Sequence, residues 1–282
     1  MEEQTRKQKA KRIWFLLLFL LVSLLVLLVL VMKSVDAFSE KELTEQNLRT
    51  EPAAVPKEPA HPLDISEVSA GTVVSAEEVD KNRLENYFRS YQITEGDAVY
   101  QRINGKSYVE NPEIGLEELR YFKVLHYNFD GEIQVGELIA NVALEADLKE
   151  IFQKLFQEEY RIYSMYLIDH FWSGDGSASD EASMKANNTS GFCYRTVTDG
   201  LGVSNHALGR AIDINPLQNP YVGKDASYWY PENAQEYIDR TQTGEHMITR
   251  EDACYRLFSE YGFSWGGDWE NIKDYQHFEK AR

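Results

Sequence analysis

Two short segments hold most of the residues with chemistry in them, SNHALGRAIDIN at 204–215 and GFSWGGDWENIKDYQHFE at 262–279. Each sets histidine and carboxylate beside glycine, and the second adds aromatics. A catalytic zinc site takes three protein ligands from His and carboxylate and leaves a fourth position for water. His206, Asp213 and His277 supply such a set, and Asp274 stands close by in sequence as a general acid/base. Seven residues separate His206 from Asp213, so on one straight strand their side chains would face opposite ways. A bend at Gly209 removes the conflict, with His206 on an entering loop and Asp213 on the strand. Asp274 and His277 share a side only if a turn or bulge lies between them.

The elements that must position these residues follow from periodicity. KVLHYNFDGEIQVGELIAN at 123–141 places two alternating apolar segments around Asp130-Gly131, a hairpin signal. VALEADLKEIFQKLFQEE at 142–159 spaces Leu144, Leu148, Ile151, Phe152 and Leu155 by three and four, as an amphipathic helix does. Residues 81–92 read as a short helix, 160–168 and 211–215 as strands, and 231–240 and 252–262 as later helices. The fold class expected is α+β, a small antiparallel sheet flanked by helices with a zinc cleft, preceded by one N-terminal transmembrane helix.

The remaining chemistry is sparse. His61, His126, His170 and His246 have no motif around them. Cys193 and Cys254 belong to no C-x-x-C pair, which removes thiolate zinc and thioredoxin-type redox chemistry; a bond between the two stays open. Asp175, Asp180 and their Ser and Gly neighbours lack EF-hand spacing. A net charge of −17 has the wrong sign for neutralising phosphates along a duplex, so nucleic acid is set aside as a partner.

The run IWFLLLFLLVSLLVLLVLVM at 13–32 is long enough to cross a bilayer, and basic residues precede it. The organisation expected is a cytoplasmic basic tail at 1–12, a transmembrane helix at 13–32 and an extracytoplasmic linker at 33–80. An accessory or N-terminal part of the ectodomain at 81–140 and a domain bearing the zinc-type donor set at 141–282 would follow. That makes the chain a single-pass membrane protein with its catalytic part outside the cytoplasm. Nothing in the sequence sets the oligomeric state.

Ser204, His206, Gly209, Ala211 and Asp213 spell S-x-H-x-x-G-x-A-x-D, and Asp274 and His277 spell D-x-x-H downstream. In this order, with Trp-Gly-Gly before the second half, the motifs resemble the zinc D-alanyl-D-alanine and L-alanyl-D-glutamate peptidases of cell-wall metabolism. The resemblance covers roughly residues 160–280. It implies peptidoglycan stem peptides as substrate and zinc held by His206, Asp213 and His277. It also implies that Asp274 takes a proton from the attacking water and returns it to the leaving amine. Arg195, in GFCYR, matches a substrate or transition-state arginine, and Ser204 matches a substrate contact. Arg195 equally suits a structural ion pair, and Ser204 a helix cap. Trp265 and Trp269 could line the cleft but are expected to fill the core. The vancomycin-resistance branch carries glutamate in E-x-x-W-H. Asp274 in DYQHFE looks more like the endopeptidase branch, so cleavage at L-alanyl-D-glutamate is favoured over D,D-carboxypeptidase action. A non-catalytic binding or assembly module on the same fold is the alternative.

Overall fold

The computed structural model describes residues 63–195 and 202–281, which belong to one unit, Pro59–Arg282. The expected hairpin forms its backbone. Strands β1 (Val73–Val74), β2 (Arg89–Gln92), β3 (Leu119–Tyr127) and β4 (Ile133–Asn141) make an antiparallel sheet in the order β1-β4-β3-β2. Gly131, at φ 84°, and the Asn128 side chain, which accepts from the Asp130 and Glu132 N–H groups, close the turn between β3 and β4. Helix α1 (Ala98–Ile103) leads towards β3, and α2 (Glu145–Gln157) follows β4. The apolar stripe of α2, with Leu148, Ile151, Phe152 and Leu155, is buried in one core with Phe122, Val124 and Leu138 of the sheet.

The site-bearing half shares that core but is built from shorter pieces. Strand β5 (Ser164–Met165), helix α3 (Gly176–Lys185) and strand β6 (Asn188–Thr189) come first, with β5 and β6 paired in parallel. Strands β7 (Ala211–Asp213), β8 (Tyr221–Val222) and β9 (Trp229–Tyr230), helix α4 (Ala253–Glu260), then strands β10 (Ser264–Trp265), β11 (Lys273–Asp274) and β12 (His277–Glu279) complete the described chain. They form two three-stranded antiparallel sheets, β10-β12-β7 and β11-β8-β9. Ile212, Ile214, Leu257, Phe258 and Phe278 tie them to the core under α2.

Several expectations change. The fold is α+β, but with several small sheets in place of one. Residues 81–92 form a short 3-10 turn, Leu84–Tyr87, and then β2, because the open edge of β3 offers this segment a pairing partner that local helical spacing cannot match. The stretch 160–168 narrows to β5, and 231–240 becomes 3-10 turns at Glu232–Tyr237 that bury only Ala234 and so have no apolar stripe to support an α-helix. Both cysteines are buried and free: Cys193 follows β6 with Sγ towards the Gly176 carbonyl, while Cys254 lies in α4. The transmembrane part of the expected fold is also corrected. Among the described residues no helix is long and apolar enough to cross a membrane, so single-pass placement and the extracytoplasmic location drawn from it have no support here. The run 13–32 itself lies outside the described residues.

Candidate metal centre

His206 sits on a 3-10 turn, Asn205–Leu208, whose first free N–H groups need an acceptor. The Ser204 hydroxyl provides it, accepting from the His206 N–H at 3.3 Å, so Ser204 stands here as the cap of the turn. Gly209 ends the turn at φ 64°, and the chain enters β7 at Ala211. A Cβ on Gly209 would fall 2.7 Å from the Asn141 backbone nitrogen, so only glycine fits. That close approach is used: Asn141 N–H donates to the Gly209 carbonyl at 2.7 Å and its side-chain amide donates to the Leu208 carbonyl at 3.1 Å. The end of β4 thus holds the turn that carries His206.

Asp213 ends β7 and lies directly opposite His277 of β12 in the antiparallel register. Opposed residues put their side chains on one face, so this pairing brings two candidate ligands together without any loop. Asp274 ends β11, and Tyr275 and Gln276 form the turn that returns the chain to His277. The first glycine of Trp-Gly-Gly makes room for it, since a Cβ on Gly266 would lie 2.8 Å from the Asp274 Cβ.

The result is a compact donor set. His206 Nε2 lies 3.2 Å from Asp213 Oδ2, His277 Nδ1 lies 3.0 Å from Asp213 Oδ1, and the two ring nitrogens are 3.2 Å apart. All three residues are buried, and one ligand atom from each falls within 4.8 Å of the others. The far side of each imidazole is anchored. His206 Nδ1 lies 2.7 Å from the Gly191 carbonyl, and His277 Nε2 lies 3.0 Å from Glu279 Oε2, which also accepts from the Asn205 amide at 2.6 Å. Acceptors at those positions fix the tautomers that turn His206 Nε2 and His277 Nδ1 inward, as metal-bound histidines require. Two imidazoles, one carboxylate and this outer layer of acceptors fit zinc.

Asp274 stands beside the set, Oδ2 at 3.9 Å from His277 Nδ1, and its buried Oδ1 has no hydrogen-bond partner among the described residues. Burial pushes its carboxyl up to about 7, with Asp213 adding and His277 opposing. At Asp213 burial also acts to raise the pKa, but His206 and His277 outweigh it and hold the carboxyl well below its ordinary range. Burial lowers the His277 pKa, yet its bonds to Asp213 and Glu279 carry it up to about 10.

Arg195 is mostly buried, and its guanidinium pairs with Asp180 Oδ2 of α3 at 2.8 Å. Burial opposes its charge, while the negative groups Asp180, Asp213 and Asp274 raise its pKa on balance. It is thus both an ion-pair partner and a cation within the field of the centre. Trp265 is a core residue whose indole N–H donates to the Tyr275 carbonyl at 2.8 Å and braces the turn after Asp274, whereas the Trp269 ring lies 5.4 Å from that of His277. The sequence reading missed Glu279, Asp180 and the Gly191 carbonyl. The first was legible, since His277 and Glu279 are two apart on a strand and share a face.

Residues 198–280 match the model of a family described as D-alanyl-D-alanine carboxypeptidase. Comparison with curated proteins and with solved structures gave no match. The family match supports a peptidase acting on cell-wall peptides, and it spans all three members of the donor set together with Asp274.

Proposed function

We propose that this chain is a zinc metallopeptidase that hydrolyses peptide bonds in peptidoglycan stem peptides, with the L-alanyl-D-glutamate bond as its target. The observation that carries the proposal is the convergence of His206, Asp213 and His277 beside a buried carboxylate, Asp274, with an unpartnered oxygen. His206, Asp213 and His277 hold the metal. When bound, zinc supplies Lewis acidity towards the scissile carbonyl and the attacking water.

The chain's own residues do the rest. Asp274, buried beside the donor set with one carboxylate oxygen unpartnered, takes the proton of the attacking water and passes it to the departing amine. Arg195, held by Asp180, offers positive charge to the developing oxyanion or to a substrate carboxylate. Glu279 and the Gly191 carbonyl keep the two imidazoles oriented. An aspartate at position 274 favours endopeptidase over D,D-carboxypeptidase action.

The test is to incubate the zinc-loaded protein with defined stem peptides and identify the products by mass spectrometry. Release of L-alanine or an L-alanyl fragment from D-glutamate supports the endopeptidase. Release of terminal D-alanine alone moves the chain to the carboxypeptidase branch. Zinc-loaded protein that cuts neither bond sinks the proposal.

A further inference from the structure

The sheet β11-β8-β9 carries a feature outside the metal centre. Its register places Asp274 opposite Tyr221, and Tyr221 opposite Tyr230. Directly opposed residues in antiparallel strands share a face, so Asp274, Tyr221 and Tyr230 form one row across three strands. Tyr228, two residues before Tyr230, falls on the same side by strand alternation. The three rings confirm the grouping: Tyr221 and Tyr228 stack with centroids 6.1 Å apart, Tyr221 and Tyr230 are 6.3 Å apart, and Tyr228 meets Tyr230 edge-on at 6.2 Å. The row begins at a buried carboxylate and ends in solvent, where Tyr228 is 45 % exposed and its ring lies against Gly223, at which a Cβ would come within 2.4 Å. The open end of the row thus offers an aromatic face and a phenol hydroxyl to whatever lies beside it.

The position of Asp274 says which part of a substrate meets it. A group that hands a proton to the leaving amine must lie next to that nitrogen, so the chain beyond the cleaved bond starts at Asp274 and has Tyr221 as its next neighbour. We infer that Tyr221, Tyr228 and Tyr230 form the subsite for the leaving-group side of a peptide substrate and select for peptides that continue past the scissile bond. The inference rests on the peptidase reading and deepens it. Strand spacing of about 4.8 Å makes the row from Asp274 to Tyr230 roughly 10 Å long, which an extended peptide covers with about three residues at about 3.4 Å each. A site that removes one terminal residue has no use for such a wall; one that cuts within a stem peptide does. Rings and phenol hydroxyls suit an extended peptide, whose backbone groups and side chains present both polar and apolar surface.

The test measures kcat/KM of the zinc-loaded full chain on stem peptides with a common acyl side and one, two, three or four residues beyond the cleaved bond. The wild-type value rises up to about the third residue and then levels. Tyr230→Ala and Tyr228→Ala lower the ratio of three-residue to one-residue substrate about tenfold, mainly through KM, as loss of an aromatic contact implies. Trp229 lies between them and faces the other side of the strand, so Trp229→Phe keeps the wild-type ratio and separates loss of a ring from loss of the hairpin. A flat wild-type series, a ratio unaltered in both tyrosine variants, or an equal fall in Trp229→Phe would overturn the assignment. Calorimetric binding of the three-residue leaving-side peptide to wild type and Tyr230→Ala keeps this inference apart from the peptidase reading. Binding weakened about tenfold without hydrolysis of any substrate upholds the subsite and removes the enzyme, whereas equal binding overturns the subsite.

Discussion

Each of the two candidate imidazole ligands has an acceptor behind it that aims it, the Gly191 carbonyl for His206 and Glu279 for His277. Glu279 is the clearest case, since its Oε2 meets His277 Nε2 at 3.0 Å and is itself fixed by Asn205. Its pKa is held below the ordinary value first by the bond to His277, so it acts as a charged acceptor. Glu279→Gln keeps the shape and removes the charge, and zinc affinity measured by chelator competition should fall about 10–100-fold. Unaltered affinity would mean that Glu279 does not orient the ring. The four motif residues were legible because their types and local spacing survive in sequence. The Gly191 carbonyl was not, because any residue brings a backbone acceptor and only the folded chain says which one reaches His206. Asp180 was hidden for a related reason: its partner Arg195 lies on a different element and the pairing is tertiary.

The site depends on elements too short to announce themselves. Strands β7 to β12 have two or three residues each, too few for alternation to register, yet their pairing places Asp213 against His277 and Asp274 against Tyr221. The longer elements, the β3–β4 hairpin and α2, were legible because nine-residue strands and a thirteen-residue helix repeat their pattern. Segment 81–92 misled because a short helical spacing competes poorly with an open sheet edge. Gly209 is where local conformation and packing meet. Gly209→Ala puts a Cβ against the Asn141 nitrogen and strains a left-handed residue, and thermal or denaturant unfolding should show a loss of about 1–3 kcal/mol. Zinc affinity should fall with it, since the same turn carries His206. Wild-type stability in this variant would show that the turn can be rebuilt without glycine.

At the scale of the molecule, the core under α2 is continuous from the hairpin sheet to Phe278 beside His277, so stability and site geometry are coupled. His126 of β3 is fully enclosed in that body. Burial lowers its pKa from the ordinary 6.5 to about 4, against weaker support from the Tyr127 and Ile162 backbone. The fold therefore keeps the ring neutral, while the unfolded chain takes up a proton below pH 6.5. Stability from this residue is complete above pH 6.5 and falls as pH drops towards 4, by roughly 3 kcal/mol in all. Urea unfolding midpoints of metal-free protein across that window should decline in wild type and decline less in His126→Phe; parallel slopes would remove His126 as the cause.

The central claim joins the donor set to the carboxylate beside it. Its most direct test is hydrolysis of a stem peptide by metal-free full chain as zinc is added, run in parallel with Asp274→Asn. The account predicts activity that climbs to a plateau at one zinc per chain. It also predicts an Asp274→Asn protein that binds zinc as wild type does while its kcat falls about 10²–10⁴-fold. Hydrolysis that persists without metal, or an Asp274→Asn variant as fast as wild type, would contradict it.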